Sequence, residues 1–389
     1  MMRAAVIFAL ATLGLTACGE VPDDPRPFTP PFEANVLLVS LDTTRADHLS
    51  VYGYGRPTTP RIEALAARGH RFDAAFTVIP STLPSHAAML TSLYPSSLGV
   101  RGNGQRVPAE ADTLAERLRA RGYRTGAFVS ETPLDRSTGI DQGFEVFDGP
   151  GDHAVREAIR WIESLGGSGD RRERFFAFVH LFDPHARYLV HSDLPDALRV
   201  PTGAYPGERG FLAHPERFTA EHVARTITAY DGEIRHADRR IGGLLDALQR
   251  LGVSDRTVTI FVSDHGETLD ELLSEIPYAF DHGEFLHGRE LRVPLVVALP
   301  REFRDAAPAV HADPVSTLDL MPTVLELVGA PCEAPCEGRS LVPLLLGDEL
   351  SPSPVISERR WISPEVPPPG ERYLSVVDRT WRRHFTDEG

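Results

Sequence analysis

The chain contains no lysine, so all 40 of its basic residues are arginines and no side-chain ammonium group is available for catalysis or anion binding. Against 55 acidic residues, the formal net charge is −15, which argues against nucleic acid as a partner. Cysteine is scarce, with three residues among 389. The sequence has no internal repeat, and its length suits one large α/β domain with an appendage.

The amino-terminal segment has the pattern of an export signal. Arg3 precedes an apolar run that ends at Leu15, which is short for a transmembrane helix and typical of a secretory signal. The next residues, Thr16 to Cys18, resemble a bacterial lipoprotein box. We therefore predict a lipoprotein signal peptide over residues 1–17, a lipidated Cys18 that attaches the protein to a membrane, and a location in the periplasm or outer membrane. The alternative is an ordinary cleaved signal followed by an incidental cysteine.

The two remaining cysteines lie close together in the sequence. Cys332 and Cys336 flank a Glu-Ala-Pro segment. In an exported protein they could close a small disulfide loop. Metal binding is the weaker alternative, because no second pair of ligands lies nearby in the sequence.

Three uninterrupted apolar runs predict strands that are buried on both faces, as in a parallel sheet. They cover residues 35–41, 175–181 and 257–262. Ligands of open α/β sheets gather at the carboxyl ends of the strands. Polar residues at these three ends are therefore candidates for a functional site.

Each of the three strand ends carries side chains suited to metal binding. Asp42 follows the first run, His180 lies near the end of the second with His185 just beyond it, and Asp264 and His265 follow the third. Asp42 taken alone could be a cap or turn residue. The recurrence of such residues at three strand ends favours a common site.

A hydroxyl residue precedes a predicted helix between residues 81 and 93. Pro84 suits the first helical position, because it has no N–H to satisfy and its φ is already near the helical value. Thr82 is then expected just before the helix, where unpaired N–H groups and the helix dipole favour an anion. It is a candidate nucleophile. The alternative is that Ser81 or Thr82 is only an N-cap.

Other segments have helical periodicity or strand character. Helices are predicted at residues 59–68, 112–121, 152–165, 220–251 and 316–327, and strands at 70–76, 124–129 and 293–299. The intervening stretch from about residue 188 to residue 219 is rich in Pro and Gly, and we expect it to be an excursion over the site.

These candidates together predict a divalent metal site. The carboxylates of Asp42 and Asp264, the imidazole of His265 and the oxygen of Thr82 could hold one cation. Such a metal would lower the pKa of the hydroxyl and polarise an ester oxygen. The histidine favours Mn²⁺ or Zn²⁺, while the oxygen ligands keep Mg²⁺ and Ca²⁺ possible.

The stretch from Asn35 to Leu49 resembles the opening block of the sulfatase family, within the alkaline-phosphatase superfamily. Further family-like blocks recur in order, which makes the resemblance specific. These blocks are Thr82–Thr91, Ser263–Glu267, Arg292–Val297, Asp319–Thr323 and Gly338–Leu341. The resemblance implies an α/β fold with a doubly wound, mainly parallel sheet flanked by helices. It also implies one metal ion held by Asp42, Asp264, His265 and the nucleophile.

The export signal and the resemblance together divide the chain into four parts. After the signal peptide, residues 18–34 form a Pro-rich tether between the membrane and the folded domain. Residues 35–350 are a sulfatase-like catalytic domain. We expect residues 351–389 to form a short or truncated C-terminal subdomain, with a small sheet that could start near Tyr373.

The sequence departs from the family pattern at the nucleophile. The family's sulfatases carry Cys or Ser there, which is converted to formylglycine, and an Arg four residues later. This chain has Thr82 and His86 at those positions, and it lacks the lysines that sulfatases place around the sulfate. Threonine cannot become formylglycine, so none is expected. A threonine nucleophile instead resembles the superfamily's phosphohydrolases and its phosphoglycerol and phosphoethanolamine transferases.

The resemblance also suggests roles for several histidines. His185 and His287 fall at family histidine positions, and we expect them to bind the ester oxygens or protonate the leaving group. Both could instead be surface-loop residues. His282 is a second candidate for the role of His287, because the spacing after Asp264 exceeds the family norm. His86 could donate to the anion in place of the missing Arg, or it could have only a capping or packing role.

We therefore predict a metal-dependent hydrolase that acts on an anionic ester, with phosphate mono- or diesters favoured over sulfate esters and a covalent intermediate on Thr82. One alternative is a sulfuric ester hydrolase without formylglycine, against which the missing lysines and cysteine argue. A phosphoglycerol- or phosphoethanolamine-type transferase is the second, although the multi-span membrane region of such enzymes is lacking. A non-catalytic surface binding protein is the third, and the intact set of site residues argues against it. The sequence specifies neither the leaving group nor the oligomeric state.

Overall fold

The computed structural model describes residues 33–166, 173–200, 219–274, 278–301, 308–332, 335–358, 374–377 and 383–386. The predicted signal peptide, Cys18 and the tether up to residue 32 lie outside the described residues, as do residues 201–218 of the predicted excursion. Within the described residues, no helix combines the length and the apolar character needed to cross a membrane.

A nine-stranded sheet forms the centre of the fold, with strand order β4-β3-β5-β1-β6-β7-β2-β8 and with β9 also paired to β2. The strands are β1 Asn35–Leu41, β2 His70–Phe76, β3 Arg124–Phe128, β4 Val146–Asp148, β5 Phe175–Leu181, β6 Thr257–Val262, β7 Arg292–Ala298, β8 Ala309–His311 and β9 Val315–Ser316. Among the described residues of this sheet, only the pairings of β7, with β6 and with β2, are antiparallel. The predicted mainly parallel sheet is confirmed.

Strand β1 occupies the middle of the sheet, between β5 and β6. All seven of its residues are buried, as the uninterrupted apolar run predicted. The register places Ser40 beside His180 on one side and beside Val262 on the other. Because the three strands are parallel and in register, Asp42, His180 and Asp264 come to the same edge of the sheet.

Helices cover both faces of the sheet. They are α1 Pro60–Ala66, α2 Thr82–Thr91, α3 Pro95–Leu98, α4 Leu114–Ala120, α5 Ala154–Ser164, α6 Ala220–Arg250, α7 Gly288–Leu291, α8 Leu320–Leu327 and α9 Val342–Leu345. Successive side chains of β1 alternate between two apolar clusters, as the pleat requires. Val36 and Leu38 pack with residues of α2, α4 and α8, whereas Leu37 and Val39 pack with residues of α1, α5 and α6. This is the doubly wound, three-layer arrangement that was predicted.

A second sheet follows the main domain. Strands β10 Val355–Glu358, β11 Leu374–Val377 and β12 Arg383–Thr386 form a three-stranded antiparallel sheet. Val355 and Val377 pack in one buried cluster with Phe76 and Leu291. The small sheet therefore lies against the ends of β2 and α7, near the edge that carries the predicted site. The domain boundaries stay predictions.

The cysteines of the Glu-Ala-Pro segment are joined. A disulfide links Cys332 and Cys336, which confirms the disulfide and excludes the metal-binding alternative for this pair. The loop that it closes follows the end of α8, and Cys332 packs partly buried against the main apolar cluster.

Candidate active site

The three predicted metal ligands meet at the carboxyl edge of the sheet. Asp42, Asp264 and His265 are fully buried, and one ligand atom of each lies within 4.8 Å of the others. His265 Nε2 lies 3.3 Å from Asp264 Oδ2 and 3.9 Å from Asp42 Oδ1. Asp42 lies more than 220 positions before Asp264 and His265 in the sequence. The pairing of β1 with β6 brings the three residues together.

Each of the three ligand candidates has one side-chain atom that points away from the other two residues, and this atom is hydrogen-bonded. His180 Nε2 lies 3.0 Å from Asp42 Oδ2 and donates to it. Asp264 Oδ1 accepts from the backbone N–H groups of Thr43, at 3.2 Å, and His265, at 2.9 Å. His265 Nδ1 donates to Gly266 O at 2.9 Å. Each of these bonds orients a ligand, as outer-shell partners of metal sites commonly do.

The three atoms that face one another have no hydrogen-bond partner. They are Asp42 Oδ1, Asp264 Oδ2 and His265 Nε2, and all three are buried. Buried polar atoms without a partner are rare and costly. Two carboxylate oxygens and an imidazole nitrogen are suitable ligands for a divalent cation. The residues present therefore fit a divalent metal.

The electrostatics of the cluster also favour a cation. Burial raises the pKa of Asp42 above its ordinary value. Burial and then the charge of Asp42 raise the pKa of Asp264 well above its ordinary value. Burial lowers the pKa of His265 well below its ordinary value, so the ring is neutral near pH 7 and can act as a ligand. A positive charge between the carboxylates would stabilise both of them in ionised form.

Glycine is required immediately after the histidine ligand. A Cβ on Gly266 would lie 1.8 Å from Arg289 O and 3.3 Å from Arg45 Cγ. The Gly266 N–H donates to Glu290 O at 2.7 Å. The backbone around Arg289 therefore packs directly against the turn that carries His265, and only glycine permits this contact.

Thr82 is the first residue of α2, not the residue before it, and Pro84 is the third. The predicted start of the helix was therefore wrong by two residues. The N-cap Ser81 makes no side-chain capping bond. Instead Asn103, from another loop, accepts from the Leu83 N–H at 2.9 Å, a cap that local sequence patterns could not reveal.

The first turn of α2 adjoins the metal-ligand candidates. Ser85 Oγ donates to Asp264 O at 2.8 Å, and His86 Nδ1 lies 3.6 Å from Asp264 Oδ2. Thr82 is buried, with 1% of its surface exposed. The described structure thus brings the helical turn that contains Thr82 next to the predicted metal ligands.

His86 has protein partners at both ring nitrogens. Its Nδ1 donates to Thr82 O at 2.7 Å, and its Nε2 accepts from Ser40 Oγ at 2.8 Å. Burial, followed by the nearby His180, lowers the pKa of His86 to about 3, so the ring is neutral. This arrangement favours the packing role over the predicted donation to an anion. A neutral ring with both nitrogens engaged does not replace an arginine.

Two of the three remaining histidine candidates lie at the site. The ring centroid of His282 is 4.3 Å from that of His265 and 5.1 Å from that of His185. His185 stacks on Phe182 at 4.0 Å and donates from Nδ1 to Ala186 O at 2.7 Å. Both rings therefore lie beside the metal-ligand candidates.

His287 lines a cavity next to the turn that carries His265. Its ring is tilted against that of Phe285 at a centroid distance of 5.2 Å, and Arg289 and Arg292 line the same cavity. Of the two histidines that the sequence left open, His282 lies against His265, which favours His282 over His287 for a role at the site. The long loop after Asp264 carries His282 back onto His265, while His287 takes the N-cap position of α7.

Sequence reasoning gave no role to two buried groups that support the site. His180 was recognised at a strand end, but its hydrogen bond to Asp42 depends on the register of β1 and β5. Glu267 is fully buried, and its Oε1 lies 3.1 Å from His282 Nδ1. Its position two residues after His265 in an Asp-His-Gly-Glu run was a usable signal.

The sequence and the fold of this chain are similar to those of known proteins. A family model described as Sulfatase matches residues 34–330. The choline-sulfatase of Rhizobium meliloti (strain 1021) is 28% identical over 83% of this chain and 73% of its own length, and human arylsulfatase A is 25% identical over 91% and 75%. A phosphonate monoester hydrolase of Agrobacterium radiobacter superposes with a TM-score of 0.67 at 21% identity, covering 91% of this chain and 89% of the other, and shows a shared fold.

Proposed function

Since this chain belongs to the sulfatase family of the alkaline-phosphatase superfamily, and is therefore a hydrolase of sulfate or phosphate esters, we propose that it cleaves phosphate mono- or diesters through a covalent intermediate on Thr82. The observation that carries this proposal is the convergence of three unpartnered buried ligand atoms beside the first turn of α2. A nucleophile next to a divalent cation is the arrangement that ester cleavage needs.

The choice of phosphate over sulfate is supported by what the chain does not contain. The formylglycine of the family's sulfatases is made from Cys or Ser, and residue 82 is Thr. The chain has no lysine to surround a sulfate. A threonine hydroxyl can attack phosphorus directly, so that an O–P bond forms on Thr82 while the bond from phosphorus to the leaving oxygen breaks. Water then hydrolyses the phosphothreonine and regenerates the hydroxyl.

Asp42, Asp264 and His265, together with the Thr82 oxygen, would hold the divalent cation. When bound, such an ion supplies a positive charge that lowers the pKa of a hydroxyl and polarises an ester oxygen. His180, the Thr43 N–H and Gly266 O keep the three ligands in position. The mixed imidazole and carboxylate set favours Mn²⁺ or Zn²⁺, with Ca²⁺ or Mg²⁺ as alternatives.

His185 and His282 can bind an ester oxygen and transfer a proton to the leaving group, respectively. Ala186 O holds Nδ1 of His185, so we assign Nε2 to a non-bridging ester oxygen. Glu267 holds Nδ1 of His282, so we assign Nε2 to proton transfer to the leaving oxygen. An acid at this position would avoid the release of an alkoxide, a contribution typically worth about 10²- to 10⁴-fold in rate.

A sulfate ester substrate is the second candidate. Two relatives, the choline-sulfatase and arylsulfatase A, are named for sulfate esters. The metal ligands and the two histidines would serve a sulfate ester equally well. In that case Thr82 would have to attack sulfur without formylglycine chemistry.

One substrate panel tests the proposal. The full chain, freed of metal by a chelator and then supplied in turn with Mn²⁺, Zn²⁺, Mg²⁺ or Ca²⁺, is assayed with nitrophenyl phosphate, bis-nitrophenyl phosphate and nitrophenyl sulfate. We expect phosphate ester turnover only with added metal, and a loss of at least about a thousandfold in Thr82→Ala. Thr91→Ala, at the other end of α2, is the matched control.

Two outcomes would count against the proposal. Sulfate turnover that is lost in Thr82→Ala, without phosphate turnover, would select the second candidate. No turnover of any ester by a folded, metal-loaded protein would favour a transferase or a binding protein.

We also propose that the protein is an exported lipoprotein attached through Cys18. This proposal is supported only by the sequence of residues 1–18, which lie outside the described residues. Cys18→Ser should move the protein from the membrane fraction of the producing cell to the soluble fraction. Unchanged membrane association of the variant would refute the lipid anchor.

A further inference from the structure

A cavity of about 380 Å³ is lined in part by Arg289, whose backbone packs against the turn that carries His265. Its wall includes Asp47, Phe76, His287, Arg289, Arg292 and Val377. Nothing in the proposed reaction uses these side chains. The cavity lies between the main domain and the small sheet, because Val377 belongs to β11 and packs with Phe76.

The cavity opens at the same edge of the sheet as the metal ligands. Phe76 ends β2, and Arg292 begins β7, which runs in the opposite direction to β2 and β6. The carbonyl of Arg289 packs against Gly266, the residue after His265. A substrate whose ester lies at the metal ligands could therefore extend its leaving group toward this cavity.

Positively charged side chains predominate in the wall. The wall includes two arginines, Arg289 and Arg292, and one carboxylate, that of Asp47. Arg289 is also paired with Glu271, which does not line the cavity. Asp47 is already paired with Arg45 by two hydrogen bonds, of 2.9 and 2.8 Å. Burial by itself would raise the pKa of Asp47. The hydrogen bonds that Arg45 donates to the carboxylate lower this pKa to about 2. Arg45, which does not line the cavity, thus largely neutralises the negative charge of Asp47.

The two arginines are held in position by other parts of the chain. Arg289 Nε lies 3.0 Å from Glu271 Oε1, and Arg292 Nε donates to Asp73 O at 2.8 Å. Guanidinium groups fixed in this way can recognise a carboxylate, sulfate or phosphate with little loss of side-chain entropy. Phe76 and Val377 add an apolar wall against which a carbon skeleton could pack.

We propose that this cavity binds a second anionic group of the substrate, carried on the leaving-group side of the ester, so that the enzyme prefers esters with at least two acidic groups. The proposal rests on the proposed function, since it names a substrate class for the same site. It also gives a role to His287, as a wall residue of the second subsite.

The test uses pairs of substrates that differ only in the second charge. ω-Carboxyalkyl phosphates of increasing chain length are compared with their methyl esters, by release of phosphate from the metal-loaded full chain. We expect the acid to exceed its methyl ester in kcat/KM by roughly tenfold at the best chain length. The ratio should fall to about one in Arg289→Gln and in Arg292→Gln, with turnover of the methyl esters unchanged.

Arg156→Gln is the matched control, because Arg156 lies exposed on α5, and its ratio should equal that of the unaltered chain. The same pairs are also titrated into the Thr82→Ala chain by calorimetry, which measures binding without turnover. Absence of any preference for the acid at every chain length, in turnover and in binding, would overturn the proposal. So would a preference that persists in both arginine variants.

These outcomes are separate from those that concern the reaction itself. If neither the acid nor the methyl ester is hydrolysed, the proposed function fails, while calorimetry still decides on the cavity. If the methyl esters are hydrolysed without a preference for the acid, only the second subsite fails.

Discussion

At the scale of single residues, each metal-ligand candidate is hydrogen-bonded through one side-chain atom and has another side-chain atom without a hydrogen-bond partner. This is true of Asp42, Asp264 and His265, and their atoms without a hydrogen-bond partner face one another. The sequence predicted these three residues because each follows a buried strand. It could not predict that both nitrogens of His86 would be engaged by Ser40 and Thr82, since that depends on where α2 lies against β1.

Glu267 should act on the reaction through His282. Its Oε1 lies 3.1 Å from His282 Nδ1, and its Oε2 accepts from Tyr188 Oη at 3.4 Å. Replacing Glu267 with Gln removes the acidic partner of the imidazole while keeping the shape of the side chain. We expect kcat to fall by roughly tenfold or more, with KM little changed.

The measurement is kcat for a series of aryl phosphates with leaving groups of different basicity. If His282 supplies the proton, the loss in Glu267→Gln should be largest for the most basic leaving groups. Tyr188→Phe, which removes the other hydrogen bond to Glu267, is the control and should change this dependence little. An equal loss for all leaving groups would indicate a purely structural role for Glu267.

At the scale of elements, the predictable parts of the fold were those with strong local signals. Strands β1, β5 and β6 have the predicted bounds, because uninterrupted apolar runs end sharply at polar residues. The orientation of β7 had no such signal, since an apolar strand has the same sequence pattern in either direction. The start of α2 was misplaced because the cap comes from Asn103 and not from the neighbouring residues.

Loops were the least predictable elements, and the choice between His282 and His287 shows why. Both histidines follow Asp264 in one loop region. The sequence does not indicate which part of that loop packs against the end of β6. In the structure, a backbone bridge between Thr268 and Asp281 closes the loop and brings His282 onto His265. The same bridge leaves His287 at the start of α7, five residues further along the chain.

At the scale of the whole molecule, the site is assembled from segments spread over most of the chain. The ends of β1, β5 and β6, the start of α2 and the loop after β6 all contribute, and the small sheet adds Val377 to the neighbouring cavity. The parallel order of the three central strands made most of this assembly predictable. The cavity was not predictable, because it depends on how β10–β12 pack against the main domain.

The central claim is that Thr82 carries the group that is transferred. The most direct measurement is rapid acid quenching of the metal-loaded protein during turnover of a radiolabelled phosphate monoester, followed by peptide mapping. We expect label on the peptide that contains Thr82, and no label in Thr82→Ala. Phosphate ester turnover at an undiminished rate by Thr82→Ala, or label on another residue, would contradict it.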